Sequence, residues 1–181
     1  MNKTYAFDLN KEFVNGKAIS ALIGVVFFII AMALGAYVRI PVPGSPVPIT
    51  LQTFFVLLSG AVLGKRLGLF ACLSYAALSA PFLLGPTGGY FAGFAAASFL
   101  AGSMLEKRDS GMGHILAVFA LGILVVYALG VLWLVYAYGV KPITAITIGA
   151  LPFIAGDAVK LAITAVIYRK ISVRSKEIFG G

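Results

Sequence analysis

The sequence predicts an all-α integral membrane protein, a compact bundle of six transmembrane helices with both termini in the cytoplasm. Three observations carry this. Of 181 residues, 61% are hydrophobic and only 11% charged, with a mean hydropathy of +1.03, far more apolar than a soluble domain of this size. The apolar residues fall into blocks close to the roughly 20 residues a helix needs to cross a bilayer. The basic residues are shared very unequally between alternate loops. A formal net charge of +8 would point a soluble protein toward nucleic acid. Here it reports orientation in the lipid bilayer, and no nucleic-acid partner is expected.

The first 17 residues, MNKTYAFDLNKEFVNGK, are polar and mixed in charge. They lack the small-residue cleavage site that closes a secretory leader, so they read as a cytoplasmic lead-in, a short surface helix being one option. The six spans then lie at 18–38, 48–64, 67–84, 88–105, 114–139 and 147–168. The second is short and starts among prolines; the fifth is long enough to tilt. Residues 169–181 form a basic cytoplasmic tail. The whole chain, 1–181, is one transmembrane domain, with the bundle at 18–168. The single cysteine, Cys72, has no partner within the chain.

This order of spans puts eleven of the 14 basic residues on one side, among them Lys3, Lys11, Lys17, Lys65, Arg66, Lys107 and Arg108. Only Arg39 and Lys141 fall on the other, and Lys160 falls within a span. Such an excess marks the cytoplasmic face. The three outer connections, RIPVPGSPVPIT (39–50), GPTGGY (85–90) and GVKPITAITIG (139–149), are almost uncharged, and proline and glycine dominate the first two. They are shaped turns. Irregular backbone near membrane depth is tolerated only where protein or a cavity covers it, so these loops point to a pocket open to the outside.

The last span, LPFIAGDAVKLAITAVIY, holds Asp157 and Lys160. A charge at the bilayer centre costs about 2.5–3.5 kcal/mol on insertion scales. Three residues apart on a helix, the two side chains share a face. Counted back from Arg169 at about 1.5 Å per residue, Lys160 stands roughly 13 Å and Asp157 roughly 18 Å above the inner surface, near the middle or outer half of the bilayer. A self-neutralising ion pair between helices would explain them structurally. Intramembrane ionisable residues more often mark a site, and this pair suits a ligand with N–H donors, an apolar body and an acidic tail. A lone Asp–Lys pair makes a poor proton relay.

Other groups cluster near the outer loops. Gln52, in PITLQTFF, needs partners in lipid and can find them on a neighbouring helix or on a ligand. Tyr90 is either an interfacial belt residue or a wall of the pocket, and Thr87, Gly88 and Gly89 expose backbone beside it. Arg39 snorkels outward or draws anions inward. Gly89, Gly93, Ala97 and Ala101 give the fourth span a smooth face for packing inside the bundle. Ala31 and Gly35 give the first span a similar strip that suits a second subunit. No metal site is expected: His114 is the single histidine. GAVLGKR (60–66) has the wrong glycine spacing for a Walker loop and Arg66 where Ser or Thr would hold magnesium. No catalytic residues, nucleophile elbow or cofactor motif are present, so an enzyme is not expected. A binder with no nucleotide site suggests that another subunit supplies energy, although the lack of an obvious internal repeat counts only weakly against a self-contained carrier.

The stretches PVPGSPVPITLQTFFVLLSGAVLGKRLG, GPTGGYFAGF and PFIAGDAVKL, in this order and at these spans, resemble the BioY family over about residues 20–170. These are the substrate-binding S subunits of energy-coupling-factor biotin transporters. The resemblance implies six helices in a prokaryotic cell (inner) membrane and biotin, or a related vitamin-like acid, held in an outward-facing cavity. It also implies a membrane coupling protein and two cytoplasmic ATPases as partners. Asp157 and Lys160 fall on its GD..K motif, Tyr90 and the preceding Thr87, Gly88 and Gly89 on GPTGGY, and Gln52 on PITLQ. These are the expected substrate-binding residues, while Ala31 and Gly35 fit a coupling-subunit contact. A stand-alone or proton-coupled carrier and a homo-oligomer are the alternative arrangements. The stretch SAPFLLGPTGGY is shorter than the glycine-rich loop of many relatives, which leaves the preferred acid open.

Overall fold

The structure, a computed structural model, describes residues 3–105 and 110–179, with side chains from residue 16 onward. Lys107 and Arg108, and the side chains of Lys3 and Lys11, lie outside the described residues. Helix α1 (Lys3–Tyr37) runs unbroken from the polar lead-in through the first span. A two-stranded ribbon follows, β1 (Arg39–Ile40) and β2 (Ile49–Thr50), antiparallel with Arg39 opposite Thr50. The next helix therefore starts at Gln52 and not at 48, because the ribbon and the prolines between its strands hold the preceding residues extended.

The second and third spans are two arms of one helical stretch, α2 (Gln52–Leu78), reversed at Gly64 with φ 81° and ψ 171°. That backbone region is essentially reserved for glycine, so the chain turns there without a loop. The arms lie against each other: a Cβ on Gly68 would come within 2.6 Å of the Gly60 Cα, and one on Gly60 within 2.0 Å of the Ser98 carbonyl oxygen. At about 1.5 Å per residue the first arm (52–63) is about 18 Å long, well short of the roughly 30 Å hydrocarbon core. A short turn, α3 (Ala80–Leu83), leads to α4 (Gly88–Leu105). The smooth face of α4 packs as the sequence suggests, on α5 (Met112–Tyr138): Gly89 meets Trp133, Gly93 meets the Val126 backbone and Ala97 meets Gly122. Lipid is as apolar as the side chains, so this close backbone contact, not hydrophobic exclusion, holds the bundle together.

The expected last span, 147–168, is divided. Helix α6 (Pro142–Gly149) stands apart, a 3-10 turn (Leu151–Phe153) carries Pro152, and α7 (Ile154–Phe179) follows. Helix α7 extends through the basic residues of the tail, and the Phe179 ring reaches the notch at Gly24 beside Leu63. Among the described residues five helical stretches are long and apolar enough to cross a membrane, and the turn at Gly64 divides one of them into two arms. One end of the bundle gathers the ribbon, the 84–88 turn and α6. The other gathers Gly64, Lys65, the end of α4 and the end of α7.

The strip on α1 does not face outward. Ala31 is 6% exposed, and a Cβ on Gly35 would lie 3.0 Å from the Phe55 ring and 3.2 Å from the Leu51 backbone. The Leu51 amide also donates to the Gly35 carbonyl at 3.1 Å. Small size at these positions serves the α1–α2 contact. The face that α1 leaves exposed carries Ile23, Phe27, Ile30 and Leu34.

Candidate functional site

A cavity of about 340 Å³ opens under the ribbon, between α2, α4, α5 and α7, within the size range of small-molecule sites. Its walls are apolar and aromatic, with Tyr75, Phe91, Phe94 and Phe153 among them. Tyr75 and Phe91 lie with ring centroids 5.7 Å apart, and Phe91 and Phe94 likewise.

Asp157 and Lys160 border this cavity. Asp157 sits in the first turn of α7, where the helix dipole favours an anion. It is 3% exposed. The pair stands near the start of the helix, at the end of the bundle that carries the ribbon. The two side chains form an ion pair. Thr53 donates to Asp157 Oδ1 at 3.0 Å and Tyr127 to Oδ2 at 2.6 Å. Lys160 Nζ also donates to the Thr50 carbonyl at 2.7 Å and to Thr53 Oγ1 at 3.2 Å. An ammonium has three donors, and all three are engaged by protein. A carboxylate has about four lone-pair positions; one on Oδ2 is left.

The remaining expected residues divide. Gln52 lines the cavity, but its amide bridges the arms of α2. Nε2 donates to the Tyr75 hydroxyl at 2.7 Å, and Oε1 accepts from Thr50 Oγ1 at 2.9 Å. Thr87 lies on the wall. Tyr90 borders the cavity with its ring set against Gly130, and its hydroxyl donates to the Gly149 carbonyl at 2.6 Å. Of the two expected places, interfacial belt or wall of the pocket, it takes the second. Gly88 and Gly89 pack on Trp133 and are not wall residues. Trp133 and Tyr138 donate to the carbonyls of Gly85 and Leu84, fixing that turn.

Sequence reasoning overlooked Thr53, Tyr75 and Tyr127. Tyr127 carried a signal: a tyrosine in the middle of LVVYALG must find a partner for its hydroxyl in lipid. Arg39 lines the cavity too, and its Nε donates to the Ala36 carbonyl at 3.1 Å. Among the described residues no carboxylate pairs with it. The charged residues around the cavity are therefore Arg39, Lys160 and Asp157, which leaves one positive charge uncompensated, on Arg39. Among the described residues no cluster of His, Cys, Asp or Glu could hold a metal.

The sequence profile of the BioY family matches residues 8–177. The chain belongs to the BioY family. A relative named biotin transporter BioY, from Thermotoga maritima, is 38% identical over 154 residues, covering 77% of this chain and 88% of its own. A probable biotin transporter BioY from Pyrococcus horikoshii is 36% identical over 161 residues, covering 81% and 93%. The crystal structure of an S-component for biotin from an ECF-type ABC transporter superposes with a TM-score of 0.76 at 28% identity, covering 95% of this chain and 98% of that one. These relatives carry transport names, not enzymatic ones. A BioY protein with several membrane-spanning helices is a multi-pass prokaryotic membrane protein.

Proposed function

We propose that this BioY protein captures biotin in the cavity beneath the ribbon, as the substrate-binding subunit of an uptake transporter. The observation that carries the reading is the pattern of polar groups around an otherwise apolar cavity. One site is rich in acceptors and hydroxyls, at Asp157, Thr53 and Tyr127. A second, at Arg39, is an unpaired cation. Biotin has a ureido ring with two N–H donors, a thioether ring that is largely apolar, and a carboxylate at the end of an alkyl chain. The open lone pair of Asp157 Oδ2 suits a ureido N–H. The ureido oxygen reaches Lys160 by taking the place of the Thr50 carbonyl. The carboxylate then meets Arg39. Gln52, Thr87 and Tyr90 shape the wall, and Gly88 and Gly89 act behind it by letting α4 approach α5.

The domain is a single unit over 1–181, with its basic end, including Lys65, Arg66 and Arg169, in the cytoplasm and the cavity opening outward. Delivery inward is driven by a membrane coupling protein and two cytoplasmic ATPases, the partners that the family resemblance implies. With Ala31 and Gly35 turned inward, the coupling protein meets α1 through Ile23, Phe27, Ile30 and Leu34. The test is twofold. Purified protein should give a heat of binding with biotin and a much weaker one with an analogue lacking the acid. Cells should take up biotin only when the coupling module is present. Uptake that persists without ATPases and collapses with the proton gradient would make the protein a secondary carrier instead.

A further inference from the structure

The loop above the cavity is a turn built by its sequence. In VPGS (42–45) the Ser45 amide donates to the Val42 carbonyl at 3.0 Å and Gly44 has φ 79°, a type II turn with proline and glycine at its two central positions. The turn delivers the Ser45 hydroxyl to α6. The hydroxyl donates to the Ile148 carbonyl at 2.7 Å, with the Val47 carbonyl a second acceptor at 3.0 Å, and accepts from the Val47 amide at 3.1 Å. Ile148 and Gly149 end α6, and the last carbonyls of a helix have no intrahelical partner. Here a serine from the loop and Tyr90 from α4 supply partners for two consecutive ones.

The three residues after Ser45, namely Pro46, Val47 and Pro48, wall the cavity. Two of them are prolines with no amide to donate. Among the described residues, the bond from Ser45 to Ile148 is the single hydrogen bond joining 41–48 to another element. Ser45 itself is not a wall residue, and the partners of its hydroxyl are all backbone atoms.

We propose that Ser45 is the latch of a gate: its hydroxyl, closed on the end of α6, holds the 41–48 loop over the cavity, and ligand passes when that bond opens. This rests on the reading that the cavity takes biotin. A latch that touches no ligand alters the barrier and not the end states. Association and dissociation should therefore change together. A hydrogen bond of ordinary net strength corresponds to a rate change of roughly 2- to 12-fold.

The experiment uses the full chain in nanodiscs and two readouts. Stopped-flow binding of biotin to Ser45→Ala should show both rate constants raised by a common factor in that range, with Kd within about twofold of wild type, and Ser45→Thr should restore both. Hydrogen exchange without biotin should be faster at the amides of Val42, Gly44 and residue 45 in Ser45→Ala and unchanged in α4, the Val47 amide being set aside because it donates to the removed hydroxyl. The proposal is overturned if dissociation alone rises and affinity weakens, since the hydroxyl would then support the bound state. Unchanged rates overturn it as well. If wild-type protein takes no biotin, the reading of the cavity fails, and exchange alone decides the latch: faster exchange upholds it and unchanged exchange sinks it.

Discussion

Arg39 is the residue whose removal should separate recognition of the acid from everything else in the cavity. Of the three charged groups that border the cavity, Asp157 and Lys160 neutralise each other, while Arg39 has one bond to the Ala36 carbonyl and no carboxylate partner among the described residues. Arg39→Gln removes the uncompensated charge and leaves the pair and its hydroxyls in place. An exposed ion pair contributes up to about 1 kcal/mol, and a hydrogen bond to a charged group up to about 3. Arg39 is exposed but sits at the cavity under a loop, so about 1–2 kcal/mol is expected, roughly 5- to 30-fold in affinity. Calorimetry with biotin and with its methyl ester reads this directly. Biotin should weaken by that factor and the ester should bind both proteins alike. Added salt should erode the difference, because an ion pair near the surface is screened. An equal loss for ester and acid would refute the assignment, as would no loss for either.

The other expectations concern the pair and the backbone. Asp157→Asn or Lys160→Met leaves a buried charge alone, which should lower stability by about 3–5 kcal/mol. The double variant should regain much of this while binding no biotin; additive losses in thermal unfolding would show that the two do not act as a unit. Tyr127→Phe removes the hydroxyl on Asp157 Oδ2 and should weaken biotin roughly tenfold, in the range of a bond to a charged group. Unchanged affinity would mean that the orientation of this carboxylate does not matter. Gly64→Ala forces a side chain into the glycine-only conformation of the α2 turn and should cost about 1–3 kcal/mol. Gly16→Ala, with open space around it inside α1, should unfold at or slightly above the wild-type temperature, since alanine favours a helix over glycine by up to about 1 kcal/mol.

The fold was legible because lipid imposes simple demands. The apolar blocks marked the helices of the bundle, and the charge bias and the proline-rich loops marked the end that carries the cavity. Boundaries went wrong where backbone chemistry intervened. The ribbon delays α2 to Gln52, Gly64 joins two spans without a loop, and Pro152 lies in a separate 3-10 turn before α7. At the site, Asp157 and Lys160 stood out because charge in an apolar block has so few explanations. What they bond to was not legible, since Thr53 and Tyr127 lie 104 and 30 residues from Asp157 along the chain and meet it only through packing. Tyr90 was legible as a wall of the pocket but its anchoring was not, since Gly130 opens a slot for the ring and the end of α6 takes the hydroxyl. Ala31 and Gly35 showed that a small-residue strip fixes close packing and leaves the partner undetermined.

The most direct measurement is the structure of the protein crystallised with biotin. Its ureido ring should lie against Asp157 and Lys160 and its carboxylate within reach of Arg39, with the aromatic side chains enclosing the rings between them. Biotin bound on another surface, with the space beneath the ribbon filled by solvent or by collapsed side chains, would contradict this.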